Sequence, residues 1–268
     1  MSNNMTVQAN VISLGEVNLK ALSKNIIDSA DAPGNSDAFV KEIIWFIIHK
    51  IFVGCNRCHA DAPCKMGTPL LGCGNRNAKI MVLGEAPGEL EDQLRQPFVG
   101  PAGLQLQAVL EAYDLSLERG LYLSYALICR PTEMAGDSTI VGRKPTRLEL
   151  DRCKPRLLAE IALVEPSVII CLGEVARKAL TGRDDKVADV LGLVETITYC
   201  NWKGEHTEAS MLTTYQPSDL LSVKSGKAKD KMEAGIEWTF TKAKEIRDGG
   251  MPETKRPVMK SKRRRIHY

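Results

Sequence analysis

The chain has 268 residues, of which 44% are apolar and 26% are charged, and this composition is ordinary for a globular protein. Its formal net charge of +3 is unevenly spread, because residues 251–268 hold seven basic residues and one acidic residue, which leaves the remainder slightly acidic. A basic tail on such a body indicates a polyanionic partner such as nucleic acid, although a tail that aids solubility or sorting gives the same pattern.

Neither a membrane span nor a secretion signal is predicted. The nearest apolar run, residues 43–48, is far shorter than the roughly 20 residues that cross a bilayer. Residues 1–13 lack the charged-then-apolar order of a signal peptide. We therefore expect an intracellular protein, in the cytoplasm or nucleoid, in a phage-infected cell or, given the basic tail, in a nucleus. There its eight cysteines are expected to be thiols or metal ligands rather than disulfides.

Apolar periodicity predicts the secondary structure in chain order. A helix from about Ser36 to Phe52 precedes an irregular Cys-rich segment, and four strands then alternate with three helices before a last amphipathic helix at 228–247. A hairpin around Trp202 precedes the fourth strand, and Thr146 with Glu149 predicts a capping box. The predicted strands are 79–83, 122–128, 168–172 and 211–215. The predicted internal helices are 104–113, 148–164 and 174–180.

This alternation predicts an α/β fold with a four-stranded, mainly parallel sheet flanked by helices in three layers. We divide the chain into an N-terminal extension with an apolar helix (1–53), one α/β domain (54–248) and a basic C-terminal tail (249–268). Ligands of such sheets bind beyond the carboxyl ends of the strands. Three motif candidates fall at those ends: Gly84–Gly88, Cys129–Pro131 and Gln216–Ser218.

The segment GEAPGELEDQLRQPFVGPAG, residues 84–103, follows the first predicted strand. It lacks both the lysine of a P-loop and the GxGxxG spacing, so a phosphate-binding loop is not predicted. Gly84 and Gly88 allow backbone N–H groups to approach a ligand. Phe98, held between Pro97 and Val99, is suited to stack on a flat ligand, or else belongs to the core.

The same segment resembles the first motif of the family 4 uracil-DNA glycosylases, the iron–sulfur branch of the uracil-DNA glycosylase superfamily. Further segments of the chain resemble this family, and together they extend over about residues 55–247. The matching positions are 72, 74 and 75, 84–89, 91–92, 97–103, 129–131, 168–176 and 214–221.

The resemblance implies a uracil-DNA glycosylase-like fold and the excision of a base flipped out of DNA. Glu85 is the implied residue that positions water or stabilises the sugar cation, and Gln216 stands where the family has a histidine that donates to the leaving base. The implied base pocket consists of Gly84, Ala86, Phe98 and Tyr125. The implied DNA contacts are Pro217, Ser218, Lys224 and, in the tail, Arg263, Arg264 and Arg265.

The cysteines admit two metal sites. The pair Cys55 and Cys58 has the C-x-x-C spacing of a shared site. The resemblance adds Cys129 and Cys153, which completes four ligands for an architectural [4Fe–4S] cluster. The alternative is a local zinc site formed by Cys55, Cys58, Cys64 and Cys73.

Three positions depart from the family pattern. The smallest departure is Ser222, where the family often has an arginine that contacts a phosphate and for which Lys224 is the expected substitute. The other two lie in the implied base pocket. Tyr125 stands where the family has an asparagine that recognises uracil, and Gln216 replaces the histidine. These changes suit a pocket retuned for a related modified pyrimidine or a weak uracil glycosylase. The alternative is a catalytically weak or inactive glycosylase-fold protein that serves as a DNA-binding or replication-accessory factor, with a replication or repair protein as partner. A third interpretation is a zinc-stabilised nucleic-acid-binding module.

Overall fold

The computed structural model describes residues 37–58, 67–136, 138–223 and 225–250, together with three two-residue strands near the N-terminus. Those strands are β1 (Asn4–Met5), β2 (Ser13–Leu14) and β3 (Val17–Asn18). Some predicted site residues lie outside the described residues, namely Cys64, Lys224, Arg263, Arg264 and Arg265.

The remaining elements follow the predicted order along the chain. The helices are α1 (Asp37–Val53), α2 (Glu89–Leu94), α3 (Pro101–Ala112), α4 (Arg147–Val164), α5 (Gly173–Thr181), α6 (Val187–Val190), α7 (Asp219–Ser222) and α8 (Lys227–Arg247). The strands are β4 (Cys73–Gly74), β5 (Ile80–Gly84), β6 (Leu121–Tyr125), β7 (Thr132–Ala135), β8 (Thr139–Gly142), β9 (Val168–Leu172), β10 (Val194–Cys200) and β11 (His206–Thr214).

The central sheet confirms the predicted fold class. Its order is β10-β11-β9-β5-β6-β4, and the short β1 extends the β10 edge. The four predicted strands are its parallel core, since β5 pairs in parallel with both β6 and β9, and β9 pairs in parallel with β11. This register brings Gly84 opposite Tyr125 and Leu83 opposite Cys171.

The predicted strand count of four was wrong. Strand β10, the first arm of the predicted hairpin, pairs antiparallel with β11. The second arm and the fourth predicted strand are one continuous strand, β11, so the hairpin adds a strand to the sheet. Strand β4 pairs antiparallel with β6 at the other edge, and two residues are too few to show a period. The sequence pattern also missed the β7–β8 hairpin and the short helices α2 and α6.

Two apolar cores cover the two faces of the sheet. Alternate residues of β5 point to opposite faces, so that Met81 and Leu83 join one core while Ile80 and Val82 join the other. The first core contains residues of α1, α4 and α5, and the second contains residues of α3 and α8. Helix α1, which we assigned to the N-terminal extension, therefore packs into the same core as the sheet. No helix among the described residues is long and apolar enough to cross a membrane.

Helix α4 begins as the sequence predicts. The hydroxyl of Thr146 accepts a hydrogen bond from the Glu149 amide at 3.2 Å, and the Glu149 carboxylate accepts one from the Thr146 amide at 2.7 Å. Arg143, which follows the β7–β8 hairpin, donates to the same carboxylate at 2.6 and 2.9 Å. The capping box thus also anchors the hairpin to the start of α4.

Candidate functional site

A cavity of about 540 Å³ opens at the carboxyl ends of β5, β6 and β9, where the parallel sheet predicts a ligand. The structure brings the predicted pocket residues together around it, although they lie up to 134 positions apart in the chain. The predicted residues that line this cavity are Gly84, Glu85, Ala86, Phe98, Tyr125, Gln216, Pro217 and Ser218.

Glu91 organises the loop that forms one wall of the cavity. Its carboxylate is 5% exposed and accepts hydrogen bonds from the amides of Gly88 at 3.1 Å and Gly100 at 2.8 Å. These glycines precede the first residues of α2 and α3. A Cβ atom on Gly88 or Gly100 would lie 2.7 or 2.8 Å from that carboxylate. Glu91 belongs to the motif in residues 84–103, but no local pattern indicates that it holds the loop in shape.

Phe98 lies in the pocket, but Tyr125 already covers one of its faces. The two rings are stacked, with centroids 4.3 Å apart and an interplanar angle of 9°. The Tyr125 hydroxyl accepts a hydrogen bond of 2.8 Å from the Phe98 amide. Phe98 has a φ of 56°, which is uncommon for a residue with a side chain. A Cβ atom on Gly84 would lie 3.2 Å from both rings, so Gly84 provides the space at their edges.

Glu85 and Gln216 contact each other directly. The Gln216 side-chain amide donates to the Glu85 carboxylate at 3.0 Å. Burial raises the pKa of Glu85, and the hydrogen bond from Gln216 and the charge of Lys144 oppose part of that rise. The backbone amide of Gln216 donates to Asp219 at 3.2 Å, and burial likewise raises the pKa of Asp219.

Lys144 contributes to the electrostatics of the pocket, a role that the sequence did not indicate. It is exposed, it follows the β7–β8 hairpin, and its charge lowers the pKa of both Glu85 and Asp219. No local motif marks Lys144, because it approaches these carboxyl groups only through the path of the hairpin. Its charge favours ionised carboxylates at the mouth of the pocket.

Cys55, Cys58, Cys129 and Cys153 line one small cavity of about 10 Å³. All four are free thiols, and each except Cys55 is buried. Burial, and then the neighbouring cysteines, raise the pKa of Cys129, and burial followed by the charge of Cys153 raises the pKa of Cys58 to about 11. As placed, no three or more His, Cys, Asp or Glu side chains of the described residues form a group that could hold a metal ion. The donor set itself, four thiols with Arg57 and Arg152 beside them, suits a thiolate-bound iron–sulfur cluster.

The alternative zinc ligands are not assembled by the described residues. Cys73 lies on β4 and lines a separate cavity of about 580 Å³ together with Trp45 and Tyr122. This cavity shares none of its residues with the one lined by Cys55 and Cys58. Cys171 is fully buried in β9, and Cys200 ends β10.

Comparison with known proteins identifies the class to which this fold and this pocket belong. The profile of the uracil DNA glycosylase superfamily matches residues 71–239, well over half of the chain. The chain therefore belongs to this superfamily, as the motif in residues 84–103 predicts.

Several relatives of this chain within the superfamily are type-4 uracil-DNA glycosylases. The chain is 31% identical over 175 residues to a type-4 uracil-DNA glycosylase of Pyrobaculum aerophilum, which covers 65% of this chain and 83% of that protein. It is 32% identical over 157 residues to a type-4 uracil-DNA glycosylase of Thermotoga maritima, covering 58% and 73%. A DNA polymerase of Bacillus phage SP01 is 26% identical over 113 residues, which is 42% of this chain and 11% of that polymerase.

Proposed function

We propose that this protein is a DNA glycosylase that hydrolyses the N-glycosidic bond of a uracil, or of a related modified pyrimidine, flipped out of DNA. The observation that carries the proposal is the convergence of Glu85 and Gln216 in a cavity of about 540 Å³ at the carboxyl edge of the sheet. The likeness to type-4 uracil-DNA glycosylases supports the same reaction class.

Glycosidic cleavage builds positive charge on the sugar and negative charge on the departing base. An ionised Glu85 stabilises that cation or orients the attacking water, and Gln216 supplies a side-chain amide on the side of the leaving base. The hydrogen bond between them holds the carboxylate of Glu85 in one position and favours its ionised form. Because one N–H of the Gln216 amide binds Glu85, its second N–H remains to stabilise the departing base.

The four converging cysteines are the proposed ligands of a [4Fe–4S] cluster. Cys153 on α4, Cys129 after β6 and the Cys55–Cys58 pair after α1 would hold the cluster, and its Fe–S bonds would join these three segments. Its proposed role is architectural, because the cysteines line a cavity that shares no residue with the base pocket.

DNA is the proposed partner. Pro217 and Ser218 at the rim of the pocket are proposed to press on the backbone beside the flipped nucleotide, and Lys224 is proposed to contact a phosphate. Arg263, Arg264 and Arg265 are proposed to add sequence-independent affinity that weakens with salt. The exposed cation Lys144 beside Glu85 joins this set on the evidence of its position.

The test is an excision assay on oligonucleotides that carry uracil or modified pyrimidines, single-stranded and duplex, followed by alkaline cleavage of abasic sites. We expect strand cleavage at one of these bases, and a loss of about 10²-fold or more in the rate for Glu85→Gln. Glu89→Gln is the matched control, because Glu89 begins α2 at the edge of the same cavity but is exposed and pairs with Arg130 at 3.3 Å. Equal activity of the Glu85 variant and the control would refute the role of Glu85.

The second candidate is a glycosylase-fold protein that binds DNA or serves replication without excising bases. Its supporting observation is the Tyr125 ring, which covers one face of Phe98, the ring on which a base is proposed to stack. Tight DNA binding without cleavage at any tested base would favour this candidate over the enzyme.

A further inference from the structure

One short segment joins the base pocket to the four-cysteine cavity. Tyr125 lines the base pocket, whereas Leu127, Ile128 and Cys129 line the cysteine cavity. Strand β6 ends at Tyr125, so the segment has left the ladder of the sheet that fixes the preceding residues. Its position therefore depends on the groups that bind its backbone.

Arg156 binds the backbone of this segment through its guanidinium group. Its Nη2 donates to the carbonyl oxygens of Tyr125 at 2.5 Å and Ala126 at 3.1 Å. The same nitrogen lies 3.5 Å from the sulfur of Cys153, one of the four clustered cysteines. Arg156 is fully buried, and one planar group thus contacts both the base-pocket segment and the cysteine cavity.

The other half of the guanidinium is held just as firmly. Nη1 of Arg156 donates to the Ser124 hydroxyl and to the Glu160 carboxylate, both at 2.9 Å. Glu160 is also fully buried and accepts further hydrogen bonds from Ser124 and from the Gly72 amide. A guanidinium fixed in this way presents its donors in one orientation, because its fork is rigid and always charged.

On its other side, the segment binds the backbone of Gly84 and Glu85 at the end of β5. The amide of Ala126 donates to the Gly84 carbonyl at 2.8 Å, and the amide of Leu127 donates to the Glu85 carbonyl at 3.1 Å. The chain around Ala126 is therefore held between Arg156 on one side and the backbone of Glu85 on the other. If Arg156 shifts, the 125–127 segment shifts with it, and the backbone hydrogen bond that holds Glu85, the proposed catalytic residue, changes.

We propose that Arg156 is a positioning residue that couples the state of the four-cysteine centre to the shape of the base pocket, through its contacts with Cys153 and with the carbonyl groups of Tyr125 and Ala126. An ordered cysteine centre keeps Arg156 in place, and Arg156 keeps the 125–127 segment against Gly84 and Glu85. The coupling concerns the structure of this chain, so it does not depend on whether the protein excises a base.

The experiment is hydrogen exchange of the Ala126 and Leu127 amides in the protein as purified, with a double-mutant cycle. Cys58→Ser perturbs the cysteine centre without altering a hydrogen-bond partner of Arg156, and Arg156→Lys keeps the charge but removes the fork. We expect Cys58→Ser to speed exchange of both amides by about tenfold, the shift that follows the loss of one hydrogen bond to a charged group. In the Arg156→Lys background, where these amides are already fast, the same change is expected to add less than about twofold.

Arg177→Lys is the matched control, because Arg177 is also fully buried and ion-paired but binds Asp185 and Glu195. In that background Cys58→Ser is expected to retain its full effect. If Arg156→Lys does not fold, the double substitution of Arg156 and Glu160 by Met replaces it, because removing both buried charges together is tolerated far better than removing one. An equal effect of Cys58→Ser in the wild-type and Arg156 backgrounds, or no effect in the wild type, would overturn the proposal.

Discussion

Replacing Tyr125 with Asn tests the meaning of the ring that covers Phe98. Tyr125 is 3% exposed, stacks on Phe98 and accepts its amide hydrogen bond. Deleting a buried aromatic ring costs about 3–5 kcal/mol, a sum that includes about 1 kcal/mol each for the stacking and the hydrogen bond. At a denaturant slope of about 2 kcal/mol/M, we expect the urea midpoint to fall by about 2 M.

The same substitution is expected to increase uracil excision while it lowers stability. It frees the face of Phe98 and adds an amide that can bind the edge of the base, so we expect kcat/KM for uracil to rise by about 10²-fold. The measurements are urea unfolding and single-turnover excision from a uracil oligonucleotide. Tyr125→Phe is the matched control: it retains the ring, keeps Phe98 covered, and is expected to show no gain.

Two results would refute this reasoning. If Asn and Phe variants excise uracil equally well, the ring over Phe98 does not decide which base enters. If Tyr125→Asn lowers the urea midpoint by no more than Tyr125→Phe does, the stacked arrangement of the two rings is not the one adopted in solution.

Three further predictions concern other parts of the molecule. Gln216→Met removes a hydrogen bond that opposes the raised pKa of Glu85, so the acid limb of the pH–rate profile is expected to move to higher pH; an unmoved limb would contradict the coupling. Cys129→Ser is expected to abolish bound iron and lower Tm, whereas Cys200→Ser is expected to retain both, and equal iron content by metal analysis would contradict the assignment. Glu149→Gln is expected to cost about 2 kcal/mol at neutral pH, because burial tends to raise the pKa of Glu149 but its arginine and threonine partners lower it overall. Because the pKa of Glu149 is lower in the folded than in the unfolded chain, its ionised form stabilises the fold at pH values above the unfolded-state pKa. This stabilisation is lost as the pH falls through the folded-state pKa. The difference in unfolding free energy between variant and wild type should therefore vanish in acid.

Much of the scaffold could be predicted because local patterns and tertiary structure agree there. The strand predicted at 168–172 matches β9, and the helix predicted at 148–164 begins one residue later than α4, with the predicted capping box at its start. Strand β6, predicted to continue to Ile128, ends at Tyr125. An apolar run cannot show where a strand leaves its ladder, because residues after the exit remain buried among other partners.

The candidate site was predicted as a set of residues, but not as an arrangement. The resemblance to the family predicts that Glu85, Phe98, Tyr125 and Gln216 form one base pocket, and in the structure all four line one cavity. It did not show that Tyr125 stacks on Phe98 or that Gln216 binds Glu85. Both contacts join segments that are far apart in the chain. Tyr125 and Gln216 also differ from the family pattern, so the family motif does not predict their contacts.

Taken by itself, the amino-acid sequence determined the α/β class, the parallel strands, the family and the residue types available for chemistry, because each depends on a local period or a local motif. The arrangement of side chains in the candidate site follows only from the tertiary structure. It set which face of Phe98 is covered, which donor holds Glu85, and that Arg156 lies between the cysteines and the base pocket. These are contacts between buried polar and aromatic groups, and their partners are chosen by packing in three dimensions and not by spacing along the chain.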